Sequence, residues 1–160
     1  MRLQSQPDSF SPTAYGGDPT GVKDSTAAVQ AALDAAYHVT LPGSFIGNSS
    51  NHGGATVDLG GGEYKISTTL KLSSGGGGLR LCCGALRASS AFPPAGFLLS
   101  LDGGEDTTLE DLQLDSAQRG GGVVTSNALR VHISRTYIHG FTTSGRLTST
   151  LSSSSLFALN

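Results

Sequence analysis

The sequence has no tryptophan, and aromatic residues of every kind make up only 6% of it. That is little for a carbohydrate-binding module that stacks sugars on rings. Charge is scarce too: ten Lys and Arg stand against twelve Asp and Glu, a formal net charge of −2. The basic residues are scattered and form no stripe, so nothing marks a nucleic-acid partner. No apolar run approaches the roughly 20 residues of a membrane-spanning helix. The opening MRLQSQPDSFSP has one arginine and no apolar core, so it does not read as a secretory signal. Either the protein is cytosolic, or Met1 is not where a secreted precursor begins.

Only two cysteines occur, Cys82 and Cys83. Adjacent Cα atoms lie about 3.8 Å apart, closer than disulfide geometry prefers. Two free thiols leaning into the core are therefore expected, and they leave the redox compartment open. Neither has the spacing of a zinc site. No metal and no other cofactor is expected.

Glycine is what the chain has in excess, 23 of 160 residues, roughly twice the usual share. One glycine-rich stretch, GGDPTGVKDSTAAVQAALDAA (Gly16 to Ala36), has the outline of a phosphate loop and also that of a structural cap. A phosphate loop needs Lys and then a hydroxyl directly after its last glycine. Here Val22 follows Gly21, and no apolar strand precedes the loop. From Ser25 the pattern turns helical: Ala28, Val29, Ala32, Leu33 and Ala36 share one face, with Asp24 or Ser25 as N-cap. A small-residue face of this kind covers a flat surface. The stretch reads as a cap.

Residues before Thr20 and the segment TLPGSFIGNSSNHGG read as loops. From Ala55 onward, short alternating segments separated by glycine predict strands: ATVDL, EYKISTTLKL, GLRLCC, GFLLSL, TLEDLQLD, GGVVTS, ALRVHIS and TYIHGF. No second helix interrupts them, which excludes a doubly wound sheet. LEDLQLD and ISRTYIH align at an offset of 24 residues (133 − 109 = 24). Leu112 and Leu114 then fall on Thr136 and Ile138, on the inward parity. Asp111, Gln113 and Asp115 fall on Arg135, Tyr137 and His139, on the outward one. Leu101 matches Val124 at an offset of 23, and earlier segments do not align. A period in the twenties built of strands and glycine turns marks a stacked solenoid. The cap has a reason in such a fold, because a first rung with bare strand edges recruits other chains.

These residues resemble a known family. AYGGDPTGVKDSTAAVQAALDAA followed by GGATVDLGGGEYKISTTLKL is similar to the N-terminal region of the pectate-lyase superfamily. More narrowly, it resembles the rhamnogalacturonase/epimerase-like pectate lyase domain, which includes plant polygalacturonase-like proteins of the pollen-tetrad-separating type. Gly17 and Asp18 match the family's glycine-aspartate step, and Asp24 to Ala27 match its helix start. Gly53, Gly54, Val57, Leu59, Gly62 and Tyr64 match its strand pattern. The resemblance spans about Phe10 to Phe141. It implies an all-β fold, a right-handed parallel β-helix with a short N-terminal capping helix, acting on or binding acidic polysaccharide such as pectin or polygalacturonate. An extracellular or cell-wall setting goes with it. The organisation expected is an N-terminal loop segment (1–20), the cap and first rungs (21–141) and a Ser/Thr-rich, poorly ordered tail (142–160). Gly60 and Gly61 depart from the family, standing where proline is usual, and the rungs stop after roughly four.

Inverting glycoside hydrolysis needs two carboxyl groups about 6.5–9.5 Å apart. The polygalacturonase signatures that carry them are missing, and IHG at Ile138 to Gly140 is only a partial echo. No catalytic residue is assigned. The candidates for substrate binding are Asp111, Arg135, Asp115 and His139. The register sets each carboxylate beside a base, a pairing that stabilises a sheet and lowers a carboxyl pKa, the wrong direction for a general acid. Asp102, Glu105, Asp106, Glu110 and Asp111 form the one acidic cluster in which a lyase would seat calcium. Two readings stay open: the N-terminal part of a pectin-active glycosidase without its catalytic rungs, or a non-catalytic β-helix module for polysaccharide binding or structure, as in phage tails.

Ile133, Ile138 and Phe141 would lie at or near the last rung's edge, and such edges associate. The 160-residue chain is therefore expected to self-associate in sedimentation experiments. A monomer with one cooperative unfolding transition, unchanged by trimming residues after Gly145, contradicts this.

Overall fold

The computed structural model describes residues 8–44, 49–72, 75–143 and 146–149, with backbone alone for 43–44 and 146–149. Among the described residues, twelve strands coil into a parallel β-solenoid of about four turns. The first coil holds β4 (Ser50–Asn51), β5 (Thr56–Asp58), β6 (Glu63–Ile66) and β7 (Leu70–Leu72). The second holds β8 (Gly76–Gly77), β9 (Arg80–Ala88) and β10 (Phe97–Asp102). The third holds β11 (Thr108–Asp115) and β12 (Gly121–Ser126), and the fourth β13 (His132–Ser134), β14 (Tyr137–His139) and β15 (Arg146–Ser149). Below the first coil lies a layer of β1 (Ser9–Phe10), a 3-10 turn (Pro12–Tyr15), β2 (Thr20–Asp24) and α1 (Thr26–His38), with β3 (Leu41–Ser44) leading out of it.

Stacking builds the core. Val57, Leu81, Leu109 and Ile133 pair in parallel register, as do Tyr64, Leu86, Leu114 and Ile138. On the second sheet Leu70, Leu99 and Val123 form a third inward column. All but Ile138 are nearly inaccessible, and Ile138 packs half-buried against the rest. Each inward residue touches its equivalents above and below, so burial grows with every coil added.

The repeat of 24 between Leu109 and Ile133 stands. The offset of 23 from Leu101 to Val124 does not: Leu101 pairs with Thr125 and Leu99 with Val123, again 24 apart. Apolar-to-apolar matching misled there, because the inward column itself turns polar at Thr125, which is buried. A one-residue slip would have turned every side chain to the other face. Earlier segments fail to align because coil length varies. Tyr64 pairs with Leu86 (86 − 64 = 22) and Leu81 with Leu109 (109 − 81 = 28). The spare residues sit at corners. In the first coil Leu59–Gly62 makes a longer corner than the second coil's, and Leu59 fills the space over Gly84. A Cβ on Gly84 would meet the Leu59 Cβ at 2.5 Å.

Three further expectations are corrected. The stretch before Thr20 holds β1, which pairs with β5, and Thr20 itself opens β2, which pairs with β6. TLPGSFIGNSSNHGG contributes β3 and β4, an antiparallel pair. In the segment read as a poorly ordered tail, Arg146–Ser149 forms β15 and pairs in parallel with β12. Arg146 and Thr148 there take register positions held by Val123 and Thr125 one coil below, so the apolar alternation is gone although the strand is present. The rest of that tail, 144–145 and 150–160, lies outside the described residues.

The cap is the helix that the sequence indicates. Ala28, Val29, Ala32, Leu33 and Ala36 are its buried residues. Its polar side closes the lower edge of the first coil. The Gln30 side chain accepts a hydrogen bond from the Lys71 N–H (2.9 Å) and donates to the Lys71 carbonyl (2.9 Å). Thr26 Oγ1 accepts from the Ser67 N–H (2.8 Å), and the Ser25 N–H donates to the Lys65 carbonyl (2.8 Å). The two capping candidates divide the work. Asp24 Oδ1 accepts from the Thr26 N–H (3.1 Å), while Ser25 at the N-cap turns its hydroxyl to the Asp18 N–H (2.9 Å).

Nor is the glycine-rich loop free to hold phosphate. It folds around the Asp18 carboxylate, which accepts from the Thr20 N–H (3.0 Å), the Thr20 hydroxyl (2.6 Å) and the Lys23 N–H (2.8 Å). These bonds, led by the Thr20 hydroxyl, hold its pKa at about 2. The loop carries its own anion.

Two outcomes follow. Gln30→Ala leaves the Lys71 backbone to water and should cost about 0.5–1.5 kcal/mol, read from urea midpoints, with increased self-association of the bared edge. Asp18→Asn tests the loop. Because the folded pKa lies below the ordinary 3.8, the carboxylate's contribution is complete above 3.8 and lost as pH falls toward 2. The variant should be less stable near neutrality yet show a flatter pH dependence across that acid window.

Candidate functional site

The outward face of the long sheet carries the candidate residues, and both predicted pairs form. Arg135 grips Asp111 with two hydrogen bonds, Nε to Oδ1 at 2.6 Å and Nη2 to Oδ2 at 2.9 Å. His139 Nδ1 lies 3.6 Å from Asp115 Oδ1. The His139 ring stacks on Tyr137 with centroids 4.8 Å apart, and its Nε2 meets the Gln113 amide at 3.1 Å. Asp115 also accepts from the Ala117 N–H (2.8 Å) and faces Arg87 Nε at 3.4 Å.

Backbone bends set these geometries. Cys83, Asp111 and Arg135 stand in register in successive coils, and all three have left-handed φ (68°, 51° and 45°). They mark the corner at which the sheet folds over and each outward side chain swings sideways. A second such column, Gly78, Asp106 and Arg130, follows the Gly77–Glu105–Leu129 bridges. It carries a matching pair: Arg130 holds Asp106 through Nε (2.6 Å) and Nη2 (2.7 Å). A left-handed conformation costs a non-glycine residue roughly 1–2 kcal/mol, and a two-pronged Arg–carboxylate bond offsets part of that.

The acidic cluster disperses onto separate partners. Asp102 accepts from the Ser126 hydroxyl (2.7 Å), Asp106 is held by Arg130, and Glu110 pairs with Arg80 and lies 3.5 Å from Arg135. Hydrogen bonding to Arg135 lowers the Asp111 pKa. A carboxyl held ionised in this way is a poor proton donor. Among the described residues, the grouping whose donor atoms could hold a metal lies elsewhere, at Asp58, Cys82 and Cys83.

Sequence reasoning missed a basic cleft of about 400 Å³, lined by Lys65, Arg87, Ser89, Ser90 and Arg119 among others. Lys65 and Arg87 are ladder partners, while Arg119 arrives from the turn after β11. Only a register of 22 between the first two coils would have revealed the pairing, and that irregular offset concealed it. The Lys65 ammonium donates to the Val22 carbonyl (2.7 Å), and Arg87 lies 3.6 Å from Glu63.

No family model matches the chain. Polygalacturonase QRT3 of Arabidopsis thaliana is 39% identical over 137 residues, which cover 80% of this chain and 28% of that protein. The chain thus spans under a third of that relative's length. Two solved structures share the fold. ORF18 of Geobacillus virus E2 superposes with a TM-score of 0.68 at 13% identity, over 83% of this chain and 26% of its own. PfbA, a surface adhesin of Streptococcus pneumoniae, does so at 0.59 and 18% identity, over 78% and 32%.

Asp111 offers a test of the corner. Asp111→Ala loses the Arg135 bond and keeps the strained φ, whereas Asp111→Gly loses the bond and relieves it. The glycine variant should be more stable than the alanine variant by about 1 kcal/mol in denaturant unfolding. Equal stabilities would remove the strain argument.

Proposed function

We propose that the chain is the N-terminal part of a pectin-degrading glycosidase of the kind its polygalacturonase relative represents, and that it serves there to engage acidic polysaccharide rather than to cleave it. The 39% identity to a plant polygalacturonase carries this reading. The cleft between Lys65, Arg87 and Arg119 supports it with chemistry, because clustered cations match the carboxylates spaced along polygalacturonate. Asp111, Arg135, Asp115 and His139 continue the polar surface along the same sheet, with Tyr137 exposed beside them as a ring for a sugar face. Action on the cell wall or outside the cell belongs to the same proposal.

Cleavage is a different matter. Glu110, Asp111 and Asp115 are each committed to a base, and a hydrolase needs one carboxyl that can keep a proton and another free to activate water. That pairing also favours a second reading, in which the solenoid is a non-catalytic module. The two differ in what lies beyond this stretch of chain; the second is a module for polysaccharide binding or for structure, and only its binding form shares the prediction of binding.

Binding is measured by affinity electrophoresis in polygalacturonate, with the fully methyl-esterified polymer as neutral control. Retardation should be specific to the charged polymer and decrease with salt. Arg87→Ala combined with Arg119→Ala should weaken it about tenfold. The same protein should release no reducing ends. Equal retardation in both polymers would refute recognition by charge, and reducing ends that vanish in Asp111→Asn or Asp115→Asn would refute the separation of binding from cleavage.

A further inference from the structure

We propose that Asp58, Cys82 and Cys83 form a binding site for a thiophilic divalent cation of the zinc class. The carboxylate oxygen and the two sulfurs all lie within 4.8 Å of one another. That convergence is unusual for adjacent cysteines. Consecutive side chains in a regular strand point to opposite faces, so one metal ion could not reach both. Here Cys83 sits on the left-handed corner with φ 68°. The bend brings the second thiol round to the side of the first.

Parallel stacking supplies the third ligand. Asp58 pairs with Cys82 from the coil below, and its Oδ1 accepts from the Gly60 N–H at 2.7 Å, which orients the carboxylate at the corner. Spacing along the chain argues against a zinc site only for ligands drawn from a single segment. A solenoid draws them from neighbouring coils, about 4.8 Å apart.

The donor set decides the ion. Two thiolates and one carboxylate are too soft and too few for calcium or magnesium, and suit zinc with a fourth position left to water. On binding, two S–H bonds break and their protons pass to solvent, while two metal–sulfur bonds and one metal–oxygen bond form. The resulting complex carries net negative charge. Cys82 is buried while Cys83 and Asp58 are half-exposed, so an ion enters from the solvent side. Because binding displaces thiol protons, the metal affinity climbs with pH.

The test is a titration of the full 160-residue chain, thiols reduced, with Zn²⁺ and with Cd²⁺ as the spectroscopic probe. One Cd²⁺ per chain should produce thiolate-to-metal charge-transfer absorption, Zn²⁺ should displace it, and protons should be released as the ion binds. Cys82→Ser and Cys83→Ser should each abolish the band, and Asp58→Asn should weaken binding by about tenfold or more. Circular dichroism separates loss of the site from loss of the fold. Asp58→Asn, at a half-exposed position, remains readable if the buried Cys82→Ser unfolds. Absence of the band, its survival in either serine variant, or unchanged affinity in Asp58→Asn overturns the proposal. So does recovery of the two cysteines as a vicinal disulfide that resists reduction.

Discussion

A parallel strand with no neighbour on one side exposes a row of N–H and carbonyl groups, and β5, β6 and β7 of the lowest coil would expose three such rows. Closing that edge is the condition on which the remaining coils depend. Short strands β1 and β2 take the first two rows by ordinary pairing. The third lies under β7, where α1 replaces a strand, and a helix has no free backbone groups along its side to offer. Gln30 solves this with its side-chain amide, which has the same donor and acceptor as a peptide unit and meets both groups of Lys71. The alanine-rich face lets the helix lie close enough for that amide to reach.

Above this base the coils repeat, but at different lengths. Pairing requires that each inward residue stack on an inward residue, and it requires nothing of the corners. The corners therefore absorb the differences, and they do so with left-handed residues. Glycine takes that conformation readily. Where Asp and Arg take it instead, the strain coincides with the paired charges Asp106–Arg130 and Asp111–Arg135. The same geometry that allows a corner to be built from a non-glycine residue also swings its side chain toward the neighbouring coil, which is where an ion-pair partner or a metal ligand is needed.

This division explains what could be read from the sequence. The helix and its buried face were legible because a period of 3.6 is a local signal. The Asp111–Arg135 and Asp115–His139 pairs were legible because two successive coils happen to have equal length. The basic cleft was not, since it joins two coils at an irregular offset of 22. Nor was the Asp58–Cys82–Cys83 grouping: Asp58 stands 24 residues before Cys82, but the left-handed turn at Cys83 that gathers the two thiols has no local signal. The strand β15 was missed for another reason. Its register positions hold Arg146 and Thr148, and a parallel partner imposes extended pairing without any apolar alternation to announce it. Asp18 shows the opposite case: the glycine-aspartate step could be matched, but its role, an internal anion that organises the loop's N–H groups, required the hydrogen bonds to be seen.

Corners that vary while strands keep their phase give the molecule a modular kind of tolerance. Residues 89–96 between β9 and β10 and residues 116–120 between β11 and β12 occupy equivalent places in successive coils, yet one connection has eight residues and the other five. Length there is decoupled from the architecture on either side. A solenoid of this design can lengthen its loops to reshape the surface that a polymer would meet, coil by coil, without disturbing the column of leucines beneath.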